Sequence, residues 1–349
     1  MIFRSFLSAL ALSIVSGSAA AATLLVGNKS EASVSLIDLD SGLEVARAAT
    51  RPGPHEIAVS GDGRTAVVTN YGDSEPGNSL SVIEVEQGAT VATIDLGEYT
   101  RPHGFLYMPD DRRVLVTAEG KRALLVVDVV EGRVLTAIPT GQDVSHMLAY
   151  DSEARRAYVA NIGSGSASFI DVAESRLLGS HASGEGAEGI AVAAGGRDLW
   201  VTNRAEDNAV QMDAQTGEIG HRVEVPGFPI RAEVLPASAG RPESILVTSA
   251  RSGSLTVIDP DAGETVKTVD LGLALKGAAD GLFADTFGDS SIPIGIEVEP
   301  GSARIWIAHA GADAVQELDT TNWKQLRLMK TGREPDAMGY SHRAVKMMK

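Results

Sequence analysis

The sequence predicts an all-β protein, a seven-bladed β-propeller of four-stranded blades whose ring is closed by a C-terminal strand joining the N-terminal blade. Three observations predict it. A strand ending in an acidic residue and followed by a turn recurs along the chain, as in "SLIDLDSG", "LVVDVVEG" and "TVIDPDAG". Its acidic positions are Asp38, Glu84, Asp128, Asp171, Asp213, Asp259 and Asp319, spaced by 42 to 46 residues except for a last step of 60. Repeats of this length made of short β-runs are the mark of propeller blades, whereas solenoid units are usually helical or much shorter. Finally, the last unit contributes only "EPDAMGYS", and the first unit lacks that same strand.

Taken in chain order, residues 1–22 read as a secretory signal. They carry one charge, Arg4, then the apolar run Phe6 to Val15, then the small residues Ser16 to Ala22, with cleavage expected after Ala20, Ala21 or Ala22. The apolar run is too short to span a bilayer. The expected domains are thus this signal and a single propeller over 23–349. The second unit shows how a blade is written. "HEIAVS" is one strand, "GDGR" a tight turn and "TAVVTN" the next strand; "YGDSEPGNS" then leads to "LSVIEV", and "EQG" to "ATVATIDL". The one long step comes from an insertion at about 273–293, "LALKGAADGLFADTFGDSSIP", between an outer strand and the next inner one. That places it at the channel mouth, and its Leu273, Leu275, Leu282, Phe283 and Phe287 suit a packed cap. The closing "HRAVKMMK" reads as a solvated basic tail.

Composition narrows the partners. A net charge of −16 and a pI near 4.9, with no basic run, argue against a nucleic-acid partner, whose phosphates need clustered Lys and Arg. Aromatic content of 5 % argues against a base-stacking platform. With no cysteine there is no disulfide, thiolate metal site, haem attachment or lipid anchor. The expected protein is a periplasmic or secreted monomer without membrane anchor or nucleic-acid partner. It would take a protein or small-molecule ligand on its channel-mouth face.

"VVTN" at 67–70, "YVAN" at 158–161 and "WVTN" at 200–203, with "SVSLIDLDSG" and "LTVIDPDAG", resemble the repeat of the YVTN β-propeller family over residues 23–341. The resemblance implies an exported propeller. Because members and fold relatives range from proteins without chemistry to redox subunits and lactonases, it implies no single activity.

The first strand of each blade lines the channel, so its start is the natural place for a site. Around the ring that position holds His55, His103, His146, Glu188, Ile230, Ile294 and Asp336, with Arg231 one residue on. Three of the seven histidines share this register. His309, at the end of a second strand, Glu119, read as its equivalent, and His181, read in an entering loop, are expected on the same face. Imidazole and carboxylate together suit Zn, Cu, Ni or Fe(II), so His55, His103, His146, Glu188, His309 and Asp336 form a candidate set for a divalent transition metal such as Cu or Zn.

Three functions follow. One is a non-catalytic binding platform, since no nucleophile lies at a workable spacing from a base. Another is a metal-binding propeller serving metal or redox metabolism. The last is an enzyme: "GPHEIAV" and "RPHGFLYMPDDRRVLVTAEG" resemble phrases of streptogramin-type propeller lyases, which use His and Glu with Mg²⁺. That resemblance implies an acid–base role for His103 or His146. Lactone hydrolysis is a variant of the same reading.

Overall fold

The computed structural model describes residues 22–238, 241–273 and 287–346. The signal-like segment, apart from Ala22, and most of the insertion, including Leu275, Leu282 and Phe283, lie outside the described residues. Among the described residues the strands form seven four-stranded antiparallel sheets arranged as the blades of one ring. The acidic repeat sets the blade rhythm for a local reason. Each of the seven acids ends the third strand of its blade, and its carboxylate accepts backbone N–H groups of the following turn. Asp128 takes Val130 and Glu131, Asp213 takes Gln215 and Thr216, and Asp259 takes Asp261 and Ala262.

Closure is as predicted. Pro335–Ser341 pairs antiparallel with Thr23–Asn28 and supplies the inner strand of the first blade. The "solvated" tail is a correction: Arg343 and Lys346 both reach Glu86, Arg343 Nε donates to the Asp62 carbonyl, and Val345 packs beside the core of the second blade. The tail thus binds the neighbour of the blade it completes.

Middle strands are buried on both faces, as in Thr23–Asn28 and Arg113–Ala118, and apolar clusters fill the spaces between adjacent blades. The outermost strands are largely exposed, which is why they alternate polar and apolar residues.

Every inner strand carries a β-bulge after its first residue. In the second blade, Pro54 faces Asn70 and Ile57 faces Val68, so His55 and Glu56 together oppose Thr69. A bulge re-aims side chains. Here it brings two consecutive residues per blade to the channel. The threonine of the "VTN" phrase fixes it: Glu56 N–H donates to Thr69 Oγ1 and Gly189 N–H to Thr202 Oγ1 (2.8 Å each). Threonine hydroxyls at the same position of other blades bond the next blade, Thr117 to the His146 carbonyl (2.6 Å) and Thr248 to the Ile294 carbonyl (2.7 Å).

Candidate functional site

The mouth register forms as expected. His55, His103, His146, Glu188, Ile230, Ile294 and Asp336 are each the second residue of an inner strand. The next residue of each bulge forms a layer below: Glu56, Gly104, Met147, Gly189, Arg231, Gly295 and Ala337. The glycines in this layer are required by crowding. A Cβ at Gly104 would lie 2.3 Å from the His146 carbonyl oxygen, and one at Gly295 would lie 2.1 Å from that of Asp336.

The three imidazoles stand in one row, tilted to one another by 51° for His55–His103 and 36° for His103–His146, with ring centroids 3.9 Å and 3.5 Å apart. A polar network lies on each side. On the His55 side the Lys29 ammonium donates to His55 Nε2 (2.8 Å) and approaches Asp336 Oδ2 (3.3 Å). His55 Nδ1 lies 3.1 Å from Asp336, and Glu56 is paired with Arg231 across the channel at 2.7 Å. On the His146 side, His146 Nδ1 is 2.5 Å from Glu119 Oε1 and Nε2 is 3.4 Å from Glu188. Tyr71 donates to Glu119 Oε2 (2.7 Å), and Arg204 donates to Glu188 Oε2 (2.7 Å).

His103, in the middle, is 1 % exposed, and both its ring nitrogens are buried without a hydrogen-bond partner. Such groups are rare in folded proteins and call for an explanation. Burial, followed by the positive charge of His146 and His55, holds its pKa well below the ordinary histidine range. Burial would lower His146 as well, but its bonds to Glu119 and Glu188 outweigh that and raise its pKa. Burial would raise Glu119 and Glu188. The bonds from His146 and Tyr71 to the first, and from His146 and Arg204 to the second, instead hold both below the usual carboxylate range. Asp336 is lowered in the same way: burial opposes, and His55, Lys29 and Arg231 prevail.

Donor atoms come together in two groups, His55–Glu56–His103 and His103–Glu119–His146, each within 4.8 Å. Glu56 and Glu119 complete these groups, although Asp336 lies closer to His55 (3.1 Å) than Glu56 does (3.7 Å) and Glu188 stands 3.4 Å from His146. His309 does not join them. It is fully buried, accepts from Ser291 Oγ (2.9 Å) and donates to Gln316 Oε1 (3.2 Å). It takes the place of Asn28, Asn70, Asn161 and Asn203, which face the first residue of the inner strand and bond side chains of the third strand. The strand pairing aligns His309 with Ala118, so Glu119 lies one residue further on. His181 sits on an outermost strand with its ring against Phe169, away from the mouth. The sequence reading missed Lys29, Glu56, Tyr71 and Arg204. Lys29, Tyr71, Glu119 and Arg204 each directly follow the aligned second-strand position held by Asn28, Asn70, Ala118 and Asn203, a register that could have revealed three of the network's members.

The mouth is two-sided. Opposite the polar arc, Ile230 and Ile294 pack with Phe287, whose ring meets Phe228 at 5.1 Å. The described end of the insertion therefore covers the apolar side.

No family model matches this chain, and no curated protein matches it. Several solved structures share its fold. The Pseudomonas aeruginosa periplasmic gluconolactonase PpgL is 14 % identical, with TM-score 0.68, covering 92 % of this chain and 99 % of its own. Citrobacter koseri AztD is 16 % identical, with TM-score 0.58, covering 92 % and 98 %. The dihydro-haem d1 dehydrogenase NirN, solved in complex with DHE, is 14 % identical with TM-score 0.63; 88 % of this chain aligns but spans only 63 % of NirN. At these identities the likeness shows a shared propeller fold.

Proposed function

We propose that this protein is an exported propeller that binds a transition-metal ion of the Zn²⁺ or Cu²⁺ class at its channel mouth. One observation carries the reading: an imidazole with both nitrogens buried and unpartnered, His103, stands among two further histidines and two carboxylates within coordinating reach. A buried polar atom without a partner costs about 1–3 kcal/mol, and a cation bound at the unprotonated ring nitrogen would remove that cost for it. Nitrogen and carboxylate donors without thiolate suit Zn²⁺ and Cu²⁺ over softer ions. His55, His103 and His146, with Glu56 and Glu119, would hold the ion, and Tyr71, Lys29 and Arg231 would orient them. The apolar N-terminal segment supports export, and no helix among the described residues is long and apolar enough to cross a membrane.

The test is metal analysis of untagged protein, with thermal shifts on adding Zn²⁺ or Cu²⁺. We expect stoichiometric metal, a raised midpoint, and affinity in His103→Ala reduced by more than the roughly 10–100-fold typical of outer-shell losses. No metal and no shift would leave the platform reading. Hydrolysis of a lactone by the unmetallated protein, lost in His146→Ala, would favour an enzyme built on the 2.5 Å His146–Glu119 contact.

A further inference from the structure

The two donor groups at the mouth share one residue. His55 and Glu56 belong to one, Glu119 and His146 to the other, and only His103, whose ring neighbours both other imidazoles, belongs to both. An imidazole has two nitrogens on opposite sides of its ring, and those of His103 are alike in being buried without a partner. The flanking rings differ. His55 Nε2 has the Lys29 ammonium, and both nitrogens of His146 have carboxylates. Resting on the metal-binding reading, we propose that the mouth is a two-ion centre in which the His103 ring bridges the ions. One ion is held with His55 and Glu56, the other with Glu119 and His146.

The argument is one of satisfaction. A single ion takes one lone pair of a neutral imidazole and leaves the other nitrogen as an N–H, which at 1 % exposure keeps the cost of a buried unpaired donor. Two ions use both edges. As the second ion bonds, the neutral ring releases its remaining proton to solvent and becomes an imidazolate, so one N–H bond is exchanged for one metal–nitrogen bond. The two sides also come from different blades. Residues 55 and 56 lie on the second blade's inner strand, while Glu119 and His146 come from the third and fourth. Each half therefore has its own support: Arg231 and Asp336 on one side, Tyr71 and Glu188 on the other.

Copper serves as the probe. The full-length protein is loaded with Cu²⁺, freed of excess by desalting, and assayed for copper by mass spectrometry and for spin by low-temperature electron paramagnetic resonance. We expect two coppers per chain with an integrated spin well below two, because an imidazolate bridge couples the two spins. His55→Ala combined with Glu56→Gln, checked for an unchanged melting profile, should keep one copper with its full spin. In His103→Ala, each copper retained should also show its full spin. One copper per chain in the unaltered protein, or two with uncoupled spins, would overturn the bridge while leaving the metal reading intact. No bound copper would overturn both.

Discussion

His309 illustrates how one residue type can serve two purposes in one chain. It was expected at the metal site on its face and strand end, yet it fills the place of an asparagine. As a neutral ring it accepts from Ser291 and donates to Gln316, so both nitrogens are satisfied. Burial lowers its pKa to about 4. In the unfolded chain its pKa is near 6.5. Between those values the unfolded chain binds more protons than the folded one, so stability falls as pH drops through this window and levels off below it. At about 1.36 kcal/mol per pKa unit, the loss is roughly 3 kcal/mol. His309→Asn, the side chain its sister blades use, should flatten urea-derived stability between pH 6.5 and 4 relative to the parent. An unchanged acid slope would show that other groups dominate. Residue type and register pointed to His55, His103 and His146 as neighbours because those positions repeat. They could not separate His309 from the site, because its partners Ser291 and Gln316 belong to a different strand and a loop.

The bulge sets how much of the site the sequence could disclose. In a regular strand, consecutive residues face opposite ways, which would have sent Glu56 into the sheet when His55 faced the channel. The extra residue brings both to the channel, so Glu56 and Arg231 meet at 2.7 Å. The acidic strand ends and the "VTN" phrases were legible because they recur in each blade. A bulge is a pairing event between strands and leaves no mark on composition. The threonine hydroxyls that support it are testable. Thr202 Oγ1 accepts from Gly189 N–H at 2.8 Å and donates to the Ile230 carbonyl of the next blade at 3.2 Å. Thr202→Val keeps the shape and removes both bonds. It should cost about 1–3 kcal/mol in urea unfolding for the stranded buried groups. A variant within error of the parent would mean that water or a backbone shift replaces the hydroxyl.

Ring closure converts these local devices into a site, and the clearest sign of it is a charge pair spanning the channel. Glu56 lies on the second blade and Arg231 on the sixth. Arg231 also approaches Asp336 of the first blade at 3.6 Å, and Met147 of the fourth packs against its guanidinium. Four blades thus converge on one buried cation, whose own pKa is raised because Glu56 and Asp336 outweigh the cost of burial. Removing one member of a buried pair leaves the other charge uncompensated, typically at a cost of about 3–5 kcal/mol, whereas replacing both by neutral groups is often nearly neutral. Arg231→Met should therefore lower stability to urea by about that amount. Adding Glu56→Gln should recover much of the loss, with Asp336 setting the remainder. If the single variant is as stable as the parent, the centre of the ring tolerates unpaired carboxylates, and the pair is there to tune the charge facing the histidines. If the double variant recovers stability but loses metal, Glu56 acts on the ion as well as on the ring.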